Sequence, residues 1–135
     1  MAIRPATAND VDTIRALGTR THPAADYAAL IDETDVRVLT QNNAIVGFLV
    51  LVDGTDHLLI EAASVDPAHA GKGFEKAMAM FAEHEARNRG YDLVRVNADG
   101  SNAAAVAVYR SLGFRETQPD GTGGRGPATL EKVVL

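Results

Sequence analysis

The stretch most suited to binding chemistry is His69-Ala70-Gly71-Lys72-Gly73-Phe74-Glu75-Lys76. Upstream, Val65-Asp66-Pro67 closes a β-branched, apolar run; downstream, Phe74, Ala77, Met78, Phe81 and Ala82 recur at helical spacing. The segment is therefore a strand-to-helix turn. Free N–H groups at a helix start, with the positive end of the helix dipole behind them, attract an anion. Gly71 and Gly73 let the backbone approach a phosphate without an intervening Cβ. Lys72 and Lys76 add positive charge. Two phosphate motifs are excluded. Gly71-Lys72 is followed by glycine, with no Ser/Thr for magnesium, and the third glycine of a dinucleotide fingerprint is missing. On its own residues the segment reads equally well as an ordinary turn.

The elements around it alternate between periods. Ala2–Arg4 reads as a short strand ending at Pro5. A helix capped by Asn9 or Asp10 carries Val11, Ile14 and Leu17 and stops near Gly18. A second short helix is expected over Pro23–Ile31. Val36–Thr40 and Ala44–Val52 form a hairpin across Gln41-Asn42-Asn43, and His57–Val65 is the fourth strand. Helix Gly73–Arg89, strand Tyr91–Asn97, helix Asn102–Leu112 and closing strands Phe114–Thr117 and Ala128–Leu135 follow. The run from Gly121 to Pro127 holds four glycines and reads as a mobile loop. This is a mixed α/β pattern with helices on both faces of one sheet.

Composition narrows the function classes. The 135 residues, 46% apolar and 23% charged, suit one domain with a real core. With no cysteine, disulfides, thiolate zinc sites and cysteine nucleophiles are out, and a reducing, cytoplasmic setting is expected. The longest apolar run, Ala44–Val52, has nine residues against the roughly 20 a membrane helix needs. Met1-Ala2-Ile3-Arg4-Pro5 shows no basic-then-apolar signal pattern. A net charge of −5 without a Lys/Arg cluster argues against a nucleic-acid partner.

A second segment gives the loop its meaning. Asn102-Ala103-Ala104-Ala105-Val106-Ala107-Val108-Tyr109-Arg110-Ser111-Leu112-Gly113-Phe114 closely resembles the N-x-x-A-x-x-x-Y-x-x-x-G-F pattern of the GNAT superfamily of N-acetyltransferases. Val65–Lys76 looks like that family's V-x-P-x-x-(R/Q)-G-x-G-x-(G/A) loop, and the two stand in the family's order. Ile3-Arg4-Pro5-Ala6-Thr7, with Asp10 and Ile14 beyond, is similar to the family's start, so the resemblance runs through residues 1–135 as a single domain. It implies an α/β (α+β) acyl-CoA N-acyltransferase fold, a twisted mixed sheet splayed between strands 4 and 5. It implies acetyl transfer from acetyl-CoA to a primary amine, either a small molecule or a peptide N-terminus, by direct attack on the thioester. No metal is implied, and a homodimer is compatible with it. Backbone groups of Ala63, Ser64 and Val65 would pair with the pantetheine arm. Amides of Gly71, Lys72, Gly73, Phe74, Glu75 and Lys76 would meet the pyrophosphate. Asn102 would touch the cofactor arm, and Tyr109 would protonate the leaving thiolate.

The departures are specific. Ala70 stands where the family usually has Arg or Gln, and Glu75 where it has Gly or Ala. A carboxylate at Glu75 competes with the pyrophosphate for the same amides, unless it is only a first-turn acid on the helix dipole. In the members that acetylate protein N-termini, a glutamate stands five residues before the matched Asn; here that position is Asn97, which cannot act as a base. Glu61 is the substitute. Simple alternation puts it on one face with Leu59, Ala63 and Val65, where burial would raise its pKa; a bulge would turn it to solvent instead. Tyr109 also belongs to a helical stripe with Ala105, Val108 and Leu112, so core packing is its alternative role. His57 and His69 read as surface residues; His22 and Tyr27 either line the acceptor pocket or pack. Against the enzyme stand two alternatives: a non-catalytic acyl-CoA-binding or regulatory module on the same fold, and a subunit that needs a partner.

Overall fold

Asn42 and Asn43 hold φ at 53° and 66°, the left-handed values that a two-residue hairpin turn requires. They join strand β2 (Asp35–Gln41) to β3 (Ala44–Asp53) in antiparallel register, with Gln41 opposite Ala44. The computed structural model describes residues 2–18, 26–69, 71–99, 103–116 and 127–134. Around this hairpin lie β1 (Ala2–Pro5), helices α1 (Val11–Gly18) and α2 (Tyr27–Glu33), and β4 (Leu58–Val65). Then come α3 (Phe74–Asn88), β5 (Leu93–Asp99), α4 (Ala103–Ser111), β6 (Arg115–Glu116) and β7 (Pro127–Val133). The described strands make one mixed sheet in the order β1-β2-β3-β4-β5-β7-β6. β4 and β5 are its parallel pair; the other neighbours run antiparallel.

Each face has its own core. Phe74, Met78, Ala79, Ala82 and Ala86 of α3 pack with Tyr109, Phe114, Leu58, Ile60, Val94, Val96 and Leu130. On the other face Ile14 and Tyr27 pack with Val36, Val38, Phe48, Val50 and Ala62. The helical period expected for α3 is therefore the one that buries it, and helices cover both faces as the pattern implied.

Two early helix starts differ from expectation. The first begins not at an Asn9 or Asp10 cap but after a 3-10 turn over Ala8–Asp10. There the Asp10 carboxylate accepts from the Thr7 amide at 2.8 Å and from the Arg4 guanidinium at 2.9 and 3.2 Å. This acid is 7% exposed, so it is better satisfied as a junction between β1 and α1 than as a simple cap. α2 starts at Tyr27 because the Asp26 side chain accepts from Ala29 N at 3.1 Å; the expected start at Pro23 lies outside the described residues.

Helix α3 is pinned along its length. At its C-terminal end Arg89 pairs with Asp35, with Asp53 at 3.2 Å and with Glu85 at 3.3 Å, tying it to the start of β2 and the end of β3. In its middle, Glu83 is 6% exposed and lies 2.5 Å from Lys132 Nζ on β7. These bonds fix where the N-terminal end of α3 points, which is beside the end of β4.

Arg4 is the main cause that lowers the Asp10 carboxyl, to about 2, below an unfolded value of about 3.9. A depressed pKa means stability that is present above the unfolded value and is lost as pH falls towards 2. Asp10→Ala is expected to destabilise the protein by about 1–2 kcal/mol at neutral pH, since Arg4 is partly solvated. Urea titrations should show the gap between variant and parent closing below about pH 3.

Candidate active site

The site is built where β4 leaves β5. The two strands pair only through Leu58–Ile60 and Val94–Val96. β4 then runs on to Val65 against β3, while β5 runs on to Asp99 against β7. The β5-facing backbone edge of Glu61–Val65 therefore has no ladder partner among the described residues. Ala63 and Val65 lean on the α3 core, and the buried Ser64 donates from Oγ to Leu17 O at 3.1 Å, holding this end of β4 against α1. The three positions expected to meet the pantetheine arm are thus brought together along an open strand edge.

A bulge decides where Glu61 goes. Val50 pairs with Ala62 and Leu51 with Ile60, so Glu61 is an extra residue. The alternation expected for this strand fails here: Leu58 and Ile60 share a core with Ala63 and Val65, and Ala62 enters the opposite one. Glu61 is exposed rather than enclosed with Leu59, Ala63 and Val65. Its Oε2 accepts from Asn97 Nδ2 at 3.4 Å across the gap between the strands. Asn97 Oδ1 in turn accepts from Thr129 Oγ1 at 3.5 Å. Sequence reasoning discarded Asn97 because it is no base and so missed it as a partner of Glu61; only the β4–β5 register reveals that contact.

The loop follows directly. Asp66 N donates to Val46 O at 2.7 Å, and Asp66 accepts from Ala68 N at 3.0 Å and His69 N at 2.8 Å. Gly71 and Gly73 sit at φ 78° and 87°, and a Cβ on either would meet nothing within 4 Å. Gly73 caps α3, whose first internal bond is Ala77 N to Gly73 O at 3.0 Å. The amides of Phe74, Glu75 and Lys76 precede that bond and point out of the helix start. Phe74 is buried and fastens the helix start to the core; Lys72 and Lys76 are exposed, and Glu75 is half-buried.

Tyr109 is both core and site. It is 7% exposed, and its ring meets Phe114 edge-on at 5.4 Å. Burial pushes its phenol well above the ordinary range, and the Glu75 carboxylate adds to the shift. Tyr109 is protonated at neutral pH, as an unshifted phenol would be, and the shift makes it a weaker acid. Glu75 thus acts electrostatically on α4 as well as on its own helix start. Asn102, His22 and Ala70 lie outside the described residues, as does most of the glycine-rich loop after Glu116. Tyr27 is 2% exposed, packed edge-on against Phe48 at 6.0 Å, and a Cβ at Gly18 would fall 2.2 Å from its hydroxyl. It is a packing residue of the α1–α2 core, not a pocket wall.

An open strand edge leading into a turn of outward amides and left-handed glycines, with a buried tyrosine on the next helix, is a surface for an extended ligand with a phosphate end. Residues 10–114 match the Acetyltransferase (GNAT) family. The chain belongs to the GNAT acetyltransferase family. It is 30% identical over 98 residues to the mycothiol acetyltransferase of Kytococcus sedentarius, covering 72% of this chain and 31% of that protein. It is 33% identical over 78 residues to the [ribosomal protein bS18]-alanine N-acetyltransferase of Escherichia coli, covering 58% of this chain and 53% of that one. The chain thus spans only part of the length of these curated relatives. The crystal structure of the Escherichia coli enzyme superposes with a TM-score of 0.80 at 23% identity over 98% of this chain and 93% of that one. A GNAT family acetyltransferase from Elizabethkingia anophelis, solved with acetyl-CoA bound, superposes at 0.81 with 18% identity over 98% of this chain and 97% of that one. The GNAT fold expected from the two motifs is therefore the fold observed.

The GNAT loop has a conformational requirement that can be measured. Gly71→Ala and Gly73→Ala are each expected to cost about 1–2 kcal/mol, the penalty for a Cβ in left-handed backbone, with no packing clash added. Gly73→Asn should lose less, because Asn tolerates that region. Urea unfolding at unchanged m-value is the check.

Proposed function

We propose that this GNAT chain is an acetyl-CoA-dependent N-acetyltransferase acting on a primary amine. The observation that carries the reading is the parting of β4 from β5 above a turn of outward amides. An extended pantetheine needs a free strand edge to pair with, and a pyrophosphate needs donors at the end of that edge; both occur within Ala63–Lys76. Acetyl-CoA, when bound, supplies an activated acyl group. The residues of the chain do the rest. Backbone groups of Ala63, Ser64 and Val65 hold the arm, amides of Gly71 to Lys76 hold the pyrophosphate, and Asn102 contacts the arm. Glu61, directly or through a water, takes the proton the amine loses as its new amide bond forms. Tyr109 holds a proton for the departing sulfur.

The names of the two curated relatives, one for mycothiol and one for a ribosomal protein alanine, support an amine acceptor in a small molecule or a protein. No helix among the described residues is long and apolar enough to cross a membrane. The absence of cysteine and the dependence on acetyl-CoA fit a cytoplasmic setting.

Free-thiol release across a panel of primary amines tests the reading: at least one amine should accelerate release from acetyl-CoA, and CoA binding with no turnover on any amine would sink it. On an amine that reacts, Glu61→Gln and Tyr109→Phe should each lower kcat by about 10²-fold or more. Unchanged turnover in Tyr109→Phe would remove it from the reaction and leave it to the core. Removing the acid at the helix start, Glu75→Gly, should tighten CoA about two- to fivefold by calorimetry; equal or weaker binding would show that Glu75 does not compete.

A further inference from the structure

The sequence places His69 on the loop surface, but in the structure it has two side-chain partners. Lys72 Nζ lies 3.3 Å from its Nδ1, and its half-buried ring leans on the ring of Phe74, with centroids 5.8 Å apart at 58°. Phe74 is 6% exposed, so one side of the imidazole rests on the α3 core. Its backbone is fixed as well, through His69 N to Asp66 O at 2.8 Å and Asp66 N to Val46 O at 2.7 Å. An ammonium only donates, so in this contact Nδ1 is the acceptor. A flexible lysine on an exposed loop is thereby tied to a ring that is itself anchored. The tie spans Gly71, whose Cβ side is open, as is that of Gly73. In the family pattern the residue before Gly71 usually brings a cationic or amide side chain to this turn; Ala70 brings none, which leaves Lys72 and Lys76 as the cations of the loop.

We infer that His69 is a positioning residue that holds the Lys72 ammonium beside the two glycines, where it neutralises the pyrophosphate of CoA in place of the side chain that Ala70 lacks. This rests on the acetyl-CoA reading. A lysine held before the ligand arrives loses less rotamer freedom on binding than a free one, so the imidazole contributes to affinity without touching the ligand.

A double-mutant cycle on CoA affinity, read by calorimetry on the full chain, tests this. Lys72→Ala should weaken CoA about tenfold, the effect of one charge-assisted phosphate contact. His69→Ala should weaken it about three- to fivefold. The double variant should be no worse than Lys72→Ala alone, because His69 acts through Lys72. His69→Asn, whose side-chain oxygen can accept in place of Nδ1, should restore most of the loss, which separates positioning from a folding defect. Dephospho-CoA should show the same factors as CoA. His69→Ala binding like the parent, losses that multiply in the double variant, or a Lys72 effect that vanishes with dephospho-CoA would each overturn the inference while leaving the acetyl-CoA reading standing. No CoA binding by the unmodified chain would overturn both.

Discussion

β4 and β5 share only three rungs of parallel ladder, and the rest of the site depends on where that ladder stops. Past Val96, β5 keeps only its pairing with β7, through Asn97, Ala98 and Asp99, and past Ile60, β4 keeps only its pairing with β3, to Val65. The extra residue at Glu61 falls directly after the last rung. A bulge bends its strand and increases local twist. The inserted residue coincides with the point where β4 leaves β5, and it sets a carboxylate beside the opening. In an unbulged strand simple alternation would put Glu61 on one face with Leu59 and Ala63.

The opening is useful only if a rigid donor array stands at its end, and α3 provides it. Helix starts fray unless tertiary contacts hold them. Here Phe74 enters the core at the first turn, Glu83 meets Lys132 in the middle, and Arg89 gathers Asp35, Asp53 and Glu85 at the far end. The helix acts as a strut from the closed end of the sheet to the open one. The polar ties sit on the same face as the apolar ones, so sliding α3 along the sheet would unpair buried charge as well as expose methyl groups.

Tyr109 and Glu75 show how core and site share residues in so small a protein. Tyr109 packs against Phe114 as any aromatic would, yet burial and the nearby Glu75 charge keep its proton in place. A carboxylate in the first turn of α3 opposes an incoming anion and adds to the upward shift that burial gives the phenol. Removing it therefore eases both ligand capture and proton release from the phenol.

Much of this was legible in the residues. The asparagine pair of the hairpin, the apolar stripe of α3 and the succession of strands and helices along the chain follow from local preference and period, which act over a few residues. The two glycines at φ near 80° are likewise local, since only their own backbone demands them. The Asn102–Phe114 pattern named the family, and the fold agreed. What alternation could not supply was parity beyond Ile60, because a bulge on β4 is specified by how two strands pair and not by either strand alone. The Asn97–Glu61 contact spans 36 positions and exists only once β4 and β5 lie side by side. Tyr27, open to two readings as a sequence, became a core residue because Gly18 leaves room for its ring against α1. The loop from His69 to Lys76 shows the same division. Its composition made it a turn able to hold an anion; the close approach of Lys72 to His69, and of His69 to a buried Phe74, came only from the folding of the chain around it.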